Sequence, residues 1–177
     1  AINLPFFKRV NNESNDTYKV ILIGDTDTGK TSIIMNYLKD VFDHPIEIVP
    51  TVMANSYDYK EARIWDTSGQ EDYQSLVPLY IRRSDAVIIV FNILDQHSLK
   101  SLNNWFEMAH KSGNPSCEIV LVKNKKDFGD INMPVEDAET IASNEKASYF
   151  EVCSKTGSGV RELFSYLDTK IQIKTHF

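Results

Sequence analysis

The apolar positions of the chain fall into six short runs with the period of strands, separated by stretches with the period of helices. Tyr18–Ile23 (YKVILI) reads as a buried β-strand, and Ser32–Leu38 after it has the spacing of an amphipathic helix. Thr51–Tyr59 and Ala62–Trp65 are predicted to be two short strands joined near Asp58–Glu61, and between them and the helix Asp43–Pro50 lacks either period and is interrupted by Pro45 and Pro50. Ala86–Phe91 is apolar at every position, as a strand covered on both faces must be. His97–Lys111 places Leu99, Leu102, Trp105, Phe106 and Ala109 on one helical face, and Ile119–Val122 is the next buried strand. Pro134 opens a helix to about Asn144, with Glu136, Asp137 and Glu139 near its positive end. Tyr149–Val152 is the last strand, and Val160–Ile173 the last helix, with Val160, Leu163, Phe164, Leu167 and Ile171 in one stripe. Strands alternating with helices predict an α/β fold: a mostly parallel sheet with helices on both faces and a ligand crevice at the C-terminal ends of the strands. Residues 1–17 read as an arm, in which Leu4-Pro5-Phe6-Phe7 is an isolated apolar patch before a run of Asn, Ser and Asp.

Composition narrows the classes of function. With 177 residues, 42% hydrophobic and 25% charged, the chain fits one globular domain with a substantial core. A net charge of −6 supplies no basic excess for a nucleic-acid backbone, but leaves a nucleotide site open. Cys117 and Cys153 form neither a CxxC pair nor a zinc spacing, which disfavours a metal cluster or a disulfide framework and predicts a cytoplasmic protein. No apolar run reaches the ~18 residues of a membrane span. The last residues, Ile171–Phe177, carry no cysteine for prenylation, so membrane association is not supported by this C-terminus: either the chain is not lipid-anchored or it is a fragment of something longer.

The chemistry is concentrated in Gly24-Asp25-Thr26-Asp27-Thr28-Gly29-Lys30-Thr31, between the first strand and the first helix. Glycines at both ends let the backbone curl so that successive N–H groups form a nest at the positive end of the helix dipole. Asp27, Thr28, Gly29, Lys30, Thr31 and Ser32 are therefore the expected phosphate-contacting residues. The Lys30 ammonium would reach the β- and γ-phosphates and the Thr31 hydroxyl would hold a magnesium ion. The competing reading is a Gly-containing helix N-terminus that binds nothing.

A phosphate loop does not choose the base; Asn124-Lys125-Lys126-Asp127 does. The Asp127 carboxylate can accept from the N1–H and the exocyclic amine of guanine, whereas adenine has no proton at N1 and no amine there, so the wrong base leaves the carboxylate unpaired. Asn124 would tie loops together, and the stem of Lys125 would lie against the base. Asp66 sits where a carboxylate can orient the magnesium through water, the Gly69 N–H can contact a γ-phosphate, and Gln70 can orient an attacking water. Thr51 offers a hydroxyl that completes the metal shell when the γ-phosphate is present. Gln70, Lys30 and Thr51 are thus the candidate catalytic residues, and Thr31, Thr51 and Asp66 the candidate metal ligands.

With these motifs in order, residues 18 to 174 resemble a Ras-superfamily small GTPase, most closely its Rab branch. The resemblance implies a P-loop GTPase domain over 18–177 with a six-stranded sheet containing one antiparallel strand, GTP or GDP with Mg2+ as ligands, and slow GTP hydrolysis. It implies an exchange factor, a GTPase-activating protein and effectors as partners, through the Thr51 and Gly69–Tyr80 regions, in trafficking or signalling. Cys153-Ser154-Lys155 stands where the family has Ser-Ala-Lys, so the Ser154 N–H is expected to read the guanine carbonyl. Phe42 matches an aromatic that packs edge-on against guanine, and equally fits a core residue ending the first helix. Trp65 and Tyr80 match aromatics used for effector contact in Rab proteins, while Glu71-Asp72-Tyr73 with Pro78-Leu79 also resembles the Rho branch.

Two departures from the family matter. Asp27 stands where glycine is usual, close to the β-phosphate. A like charge at ~4 to 6 Å near a surface is worth on the order of 1 to 3 kcal/mol, so weakened affinity and fast GDP release are expected. Thr26 adds bulk near the catalytic glutamine. The interval from Thr51 to Asp66 is also shorter than usual, so the hairpin between the switch segments is expected to be truncated. Removing about four residues from each strand keeps the alternation of faces and leaves Ser56, or a shifted Tyr57, where Rab proteins have phenylalanine. A GTP-hydrolysing switch is the leading reading and a GTP-binding scaffold with little hydrolysis the alternative. An ATP-dependent kinase is disfavoured by Asp127 and by the lack of an arginine-rich lid.

Overall fold

The computed structural model describes residues 18–39, 54–67, 71–92, 101–125 and 135–175. Among them six strands form one sheet: β1 (Tyr18–Ile23), β2 (Ala54–Tyr59), β3 (Ala62–Thr67), β4 (Ala86–Asn92), β5 (Glu118–Lys125) and β6 (Ser148–Cys153). Their order is β2-β3-β1-β4-β5-β6, and every neighbouring pair is parallel except β2 with β3. The helices are α1 (Lys30–Leu38), a 3-10 helix (Glu71–Leu76) running into α2 (Val77–Ile81), α3 (Leu102–Ser112), α4 (Val135–Asn144) and α5 (Val160–Thr175). This is the α/β architecture of a P-loop GTPase, with one antiparallel strand as expected.

The period-two alternation of the strands splits the core into two layers. Val20, Leu22, Ile64, Ile88, Val120 and Val122 face α1 and α5, meeting Ile33, Ile34, Leu38, Leu163, Phe164 and Leu167. Ile21, Ile23, Val87, Ile89, Phe91 and Leu121 face the opposite layer, where α2, α3 and α4 contribute Val77, Ile81, Trp105, Phe106, Ala138 and Ala142. Burial on both faces is why these strands read as unbroken apolar runs.

The hairpin is short. Tyr59 pairs with Ala62, leaving Lys60 and Glu61 as a two-residue loop with Lys60 in the left-handed region at φ 52°. Arg63 Nε meets Asp58 Oδ1 across it at 2.8 Å. Ser56 registers with Trp65 and Tyr57 with Ile64, so Tyr57 turns into the α1/α5 core and Ser56 shares the Trp65 face. Of the two, Ser56 is the one on the Trp65 face.

Several elements run further than the apolar runs suggested. β3 continues through Asp66 and Thr67, β5 through Asn124 and Lys125, and β6 through Cys153, because the neighbouring strands continue the ladder past the last apolar side chain. The motif residues Asp66, Asn124, Lys125 and Cys153 thus lie on strand ends rather than after them. The 3-10 helix and α2 were not anticipated: six and five residues are too few to show a helical period. Residues 1–17 and 43–50 and the start of the His97–Lys111 segment lie outside the described residues.

Candidate nucleotide-binding site

The loop between β1 and α1 is closed on its own lysine. Lys30, in the first turn of α1 and only 6% exposed, donates through Nζ to Gly24 O at 2.8 Å and Asp25 O at 2.7 Å, with Thr28 Oγ1 at 3.4 Å. Thr28 Oγ1 in turn donates to Asp25 O at 3.0 Å. Gly24 has φ 144°, and a Cβ there would run into the Val90 carbonyl oxygen; Gly29 has φ 95°, and a Cβ there would collide with Asn124 Nδ2. Both ends of the loop therefore require glycine for space as well as for φ. No acidic side chain occupies the first turn of α1, so its positive end is left to an anion. Thr26, Asp27, Thr31 and Ser32 are exposed, and Asp27 stands in the left-handed region at φ 64°, which Asp tolerates better than most residues.

Beside the loop, Thr31 Oγ1 donates to Asp66 Oδ2, while the buried Asp66 Oδ1 has no hydrogen-bond partner among the described residues. Burial pushes the Asp66 carboxyl above the usual range, against the opposing effects of the Thr31 hydrogen bond and the Lys30 charge. A carboxylate oxygen beside a threonine hydroxyl offers the oxygen donor types that a hard divalent cation such as magnesium takes. Thr67 Oγ1 donates to Leu22 O at 2.7 Å and fixes the end of β3 against β1 beside this pair.

The base-side motifs meet at Asn124, which is fully buried. Its Nδ2 donates to Thr28 O at 2.8 Å and lies 3.1 Å from Ser154 Oγ, and its Oδ1 accepts from the Ser154 N–H at 3.0 Å. One side chain thus fastens the phosphate loop to the turn after β6. The Ser154 N–H, assigned by resemblance to a guanine carbonyl, is held by Asn124 in this geometry. Asn36 on α1 donates to Ser154 O, and the turn is closed by Gly157 N–H to Cys153 O at 2.7 Å and Cys153 N–H to Ser158 O at 2.9 Å. Lys155 is exposed in that turn. Phe42, Thr51, Gly69, Gln70, Asp127 and the side chain of Lys125 lie outside the described residues.

Two contributors were missed by sequence reasoning. Trp105 Nε1 on α3 donates to Asp25 Oδ1 at 2.9 Å, anchoring the phosphate loop from the layer opposite α1. Helical spacing marks Trp105 as a core residue, but nothing in that spacing says where its indole N–H goes. Lys123 is buried one position before Asn124, on the face of β5 that Ile119 and Leu121 make apolar.

These loops gather the start of α1, the Thr31–Asp66 hydrogen bond and a buried asparagine joining the phosphate loop to the turn after β6. The Ras family sequence profile matches residues 19–173. The chain belongs to the Ras family. Similar proteins include the mouse Ras-related protein Rab-22A, 35% identical over 162 residues covering 86% of this chain and 82% of that protein. The Arabidopsis thaliana Ras-related protein RABF2b is 35% identical over 82% of this chain and 76% of its own length. The GTP-binding protein ypt5 of Schizosaccharomyces pombe is 32% identical over 88% of this chain and 78% of its own. Within the Ras family, this chain is Rab-like.

The second layer carries an aromatic pair. Trp65 and Tyr80 pack with centroids 5.7 Å apart, and the Lys19 ammonium lies 5.5 Å from the Trp65 ring. Lys19 Nζ also donates to Tyr80 O, and to Arg82 O at 3.1 Å, capping the C-terminal end of α2; burial lowers its pKa and the Asp85 charge opposes this. Leu76 and Leu79 are exposed beside this pair.

Proposed function

We propose that this Ras-family chain is a magnesium-dependent guanine-nucleotide switch that hydrolyses GTP slowly. The observation that carries the reading is Asn124, whose hydrogen bonds join the phosphate loop to the Cys153–Lys155 turn so that both ends of one guanosine polyphosphate are addressed by a single rigid unit. The loop N–H groups and Lys30 bind the phosphates, which requires the ammonium to exchange its carbonyl partners for phosphate oxygens. Thr31 and Asp66 hold the magnesium, which when bound neutralises charge on the β- and γ-phosphates. Asp127 selects guanine, and Gln70 orients the attacking water. GTP orders the Thr51 and Gly69 segments, and hydrolysis releases them.

The phosphate loop, Gly24–Thr31, contains no arginine to stabilise the transition state in cis, so a GTPase-activating protein supplies one. An exchange factor and effectors engage the Thr51 and Gly69–Tyr80 regions, in vesicle trafficking or signalling. The chain acts in the cytoplasm, peripherally on membranes when part of a longer lipidated form. A second reading, a GTP-binding scaffold, is favoured by Asp27 and Thr26, both exposed at the loop apex.

Single-turnover hydrolysis of GTP with magnesium tests the proposal. Slow turnover in the wild type, lost in Gln70→Leu, is expected; bound GTP left intact by both proteins favours the scaffold. A nucleotide-stripped chain that ignores GDP and GTP at ~1 mM, or prefers ATP, overturns the whole reading.

A further inference from the structure

The face of β5 that carries Ile119 and Leu121 packs against α3 and α4 and is apolar until Lys123, which continues it with a charge. Lys123 is 1% exposed, and its Nζ makes no hydrogen bond among the described residues. Its counter-charge is Glu151 on β6, with Nζ 3.8 Å from Oε1. A hydrophobic residue would serve packing at least as well, since a buried ammonium loses its hydration and recovers it only through a well-placed partner. Its value therefore lies in what the pair holds in place.

We propose that Lys123 is a positioning residue for guanine-nucleotide binding, its ion pair with Glu151 pinning β5 and β6 together at the point where the two base-recognition segments leave the sheet. The register places the pair there: Lys123 lies opposite Glu151, Asn124 opposite Val152, and Lys125 opposite Cys153. One step further, the Ser154 N–H donates to Asn124 Oδ1. Glu151 is itself oriented, because the Tyr149 hydroxyl donates to its Oε1 at 3.0 Å. Burial, and then the Glu151 charge, raise the Tyr149 phenol well above its usual range, so it stays a donor. The hydrogen bond and the ion pair converge on one carboxylate oxygen, and the strand ends are held before either loop begins.

The proposal rests on the nucleotide reading above, and the test separates the two. Release of tritiated GDP and thermal midpoint are measured for the wild type, Lys123→Met, Glu151→Gln and the double variant. Lys123→Met keeps the volume without the charge, so its midpoint is expected to equal or exceed that of the wild type while GDP leaves roughly three- to tenfold faster. Glu151→Gln strands the buried ammonium, so its midpoint falls and release quickens. The double variant is expected to recover the midpoint but not the slow release. Discrimination between GDP and inosine diphosphate, which lacks the exocyclic amine, is expected to narrow in Lys123→Met. Wild-type release from Lys123→Met, or release rates that simply follow the midpoints, overturns the positioning role. A wild type that binds no GDP sinks the nucleotide reading and this role with it.

Discussion

Asn124→Ala is the substitution whose cost follows most directly from the geometry. The side chain is fully buried and makes three polar contacts, to Thr28 O, Ser154 Oγ and the Ser154 N–H, at 2.8, 3.1 and 3.0 Å. Each is worth about 1 kcal/mol net, so truncation costs about 3 kcal/mol. For a chain of this length that corresponds to a fall in midpoint of roughly 6 to 12 °C. Water entering the vacated space moves the fall toward the lower end. The same contacts hold the phosphate loop against the turn after β6, so part of the loss reappears in ligand binding. If half of it does, about 1.5 kcal/mol, GDP dissociates about tenfold faster. Filter retention of tritiated GDP gives that rate, and a thermal melt gives the stability. Asn124→Asp is the companion: it keeps an oxygen for the Ser154 N–H but presents a carboxylate to the Thr28 carbonyl in a buried site, and should be worse than alanine on both measures. An alanine variant with unchanged midpoint and unchanged dissociation would refute the idea that this side chain joins the two loops.

Asp27→Gly removes a negative charge from the loop apex and frees a left-handed position, so GDP release should slow. Exposure and screening keep the charge effect near the low end, about 1 kcal/mol or fivefold, and an unchanged rate in low salt counts against it. Asp66 has a folded-state pKa raised chiefly by burial, so its contribution to stability is fully present below the ordinary carboxyl range and is lost as pH rises through the raised value. Asp66→Asn should therefore melt higher than the wild type at neutral pH without nucleotide or magnesium, with the gap closing in acid, and magnesium should no longer slow its GDP release. A variant that melts lower at neutral pH contradicts the sign. Trp105→Phe removes the donor to the buried Asp25 carboxylate and should lower stability by about 1.5 to 3 kcal/mol, read as a melting shift; no shift would mean the loop is indifferent to α3.

The architecture was legible because burial writes itself into sequence. Val20, Ile88 and Val120 and their neighbours are apolar on both faces of central strands, and Leu163, Phe164 and Leu167 repeat on one helical face. Gly24, Gly29 and Lys30 were legible for a different reason: the loop needs two residues without a Cβ and one cation at fixed offsets. What stayed hidden was side-chain traffic between distant segments. The Trp105 indole reaches Asp25 across 80 positions, and Lys123 pairs with a carboxylate on the next strand, and neither leaves a local pattern. Strand ends look shorter in the sequence than in the fold because Asp66, Asn124 and Cys153 resemble loop residues, while their pairing is set by neighbouring strands. The choice between Ser56 and Tyr57 needed the register, since a shift of one residue exchanges the two faces.

The chain has two tryptophans, and they sit in opposite circumstances. Trp105 is buried with its N–H on a phosphate-loop carboxylate; Trp65 is half-buried beside Tyr80 and the Lys19 ammonium, its indole N–H without a hydrogen bond among the described residues. Intrinsic emission is therefore a built-in optical readout: the indole of Trp105 registers rearrangement of the loop beneath the phosphates, and that of Trp65 registers displacement of α2. Replacing either ring with phenylalanine isolates the other, so the order in which the two regions respond to added ligand can be timed without attaching a dye.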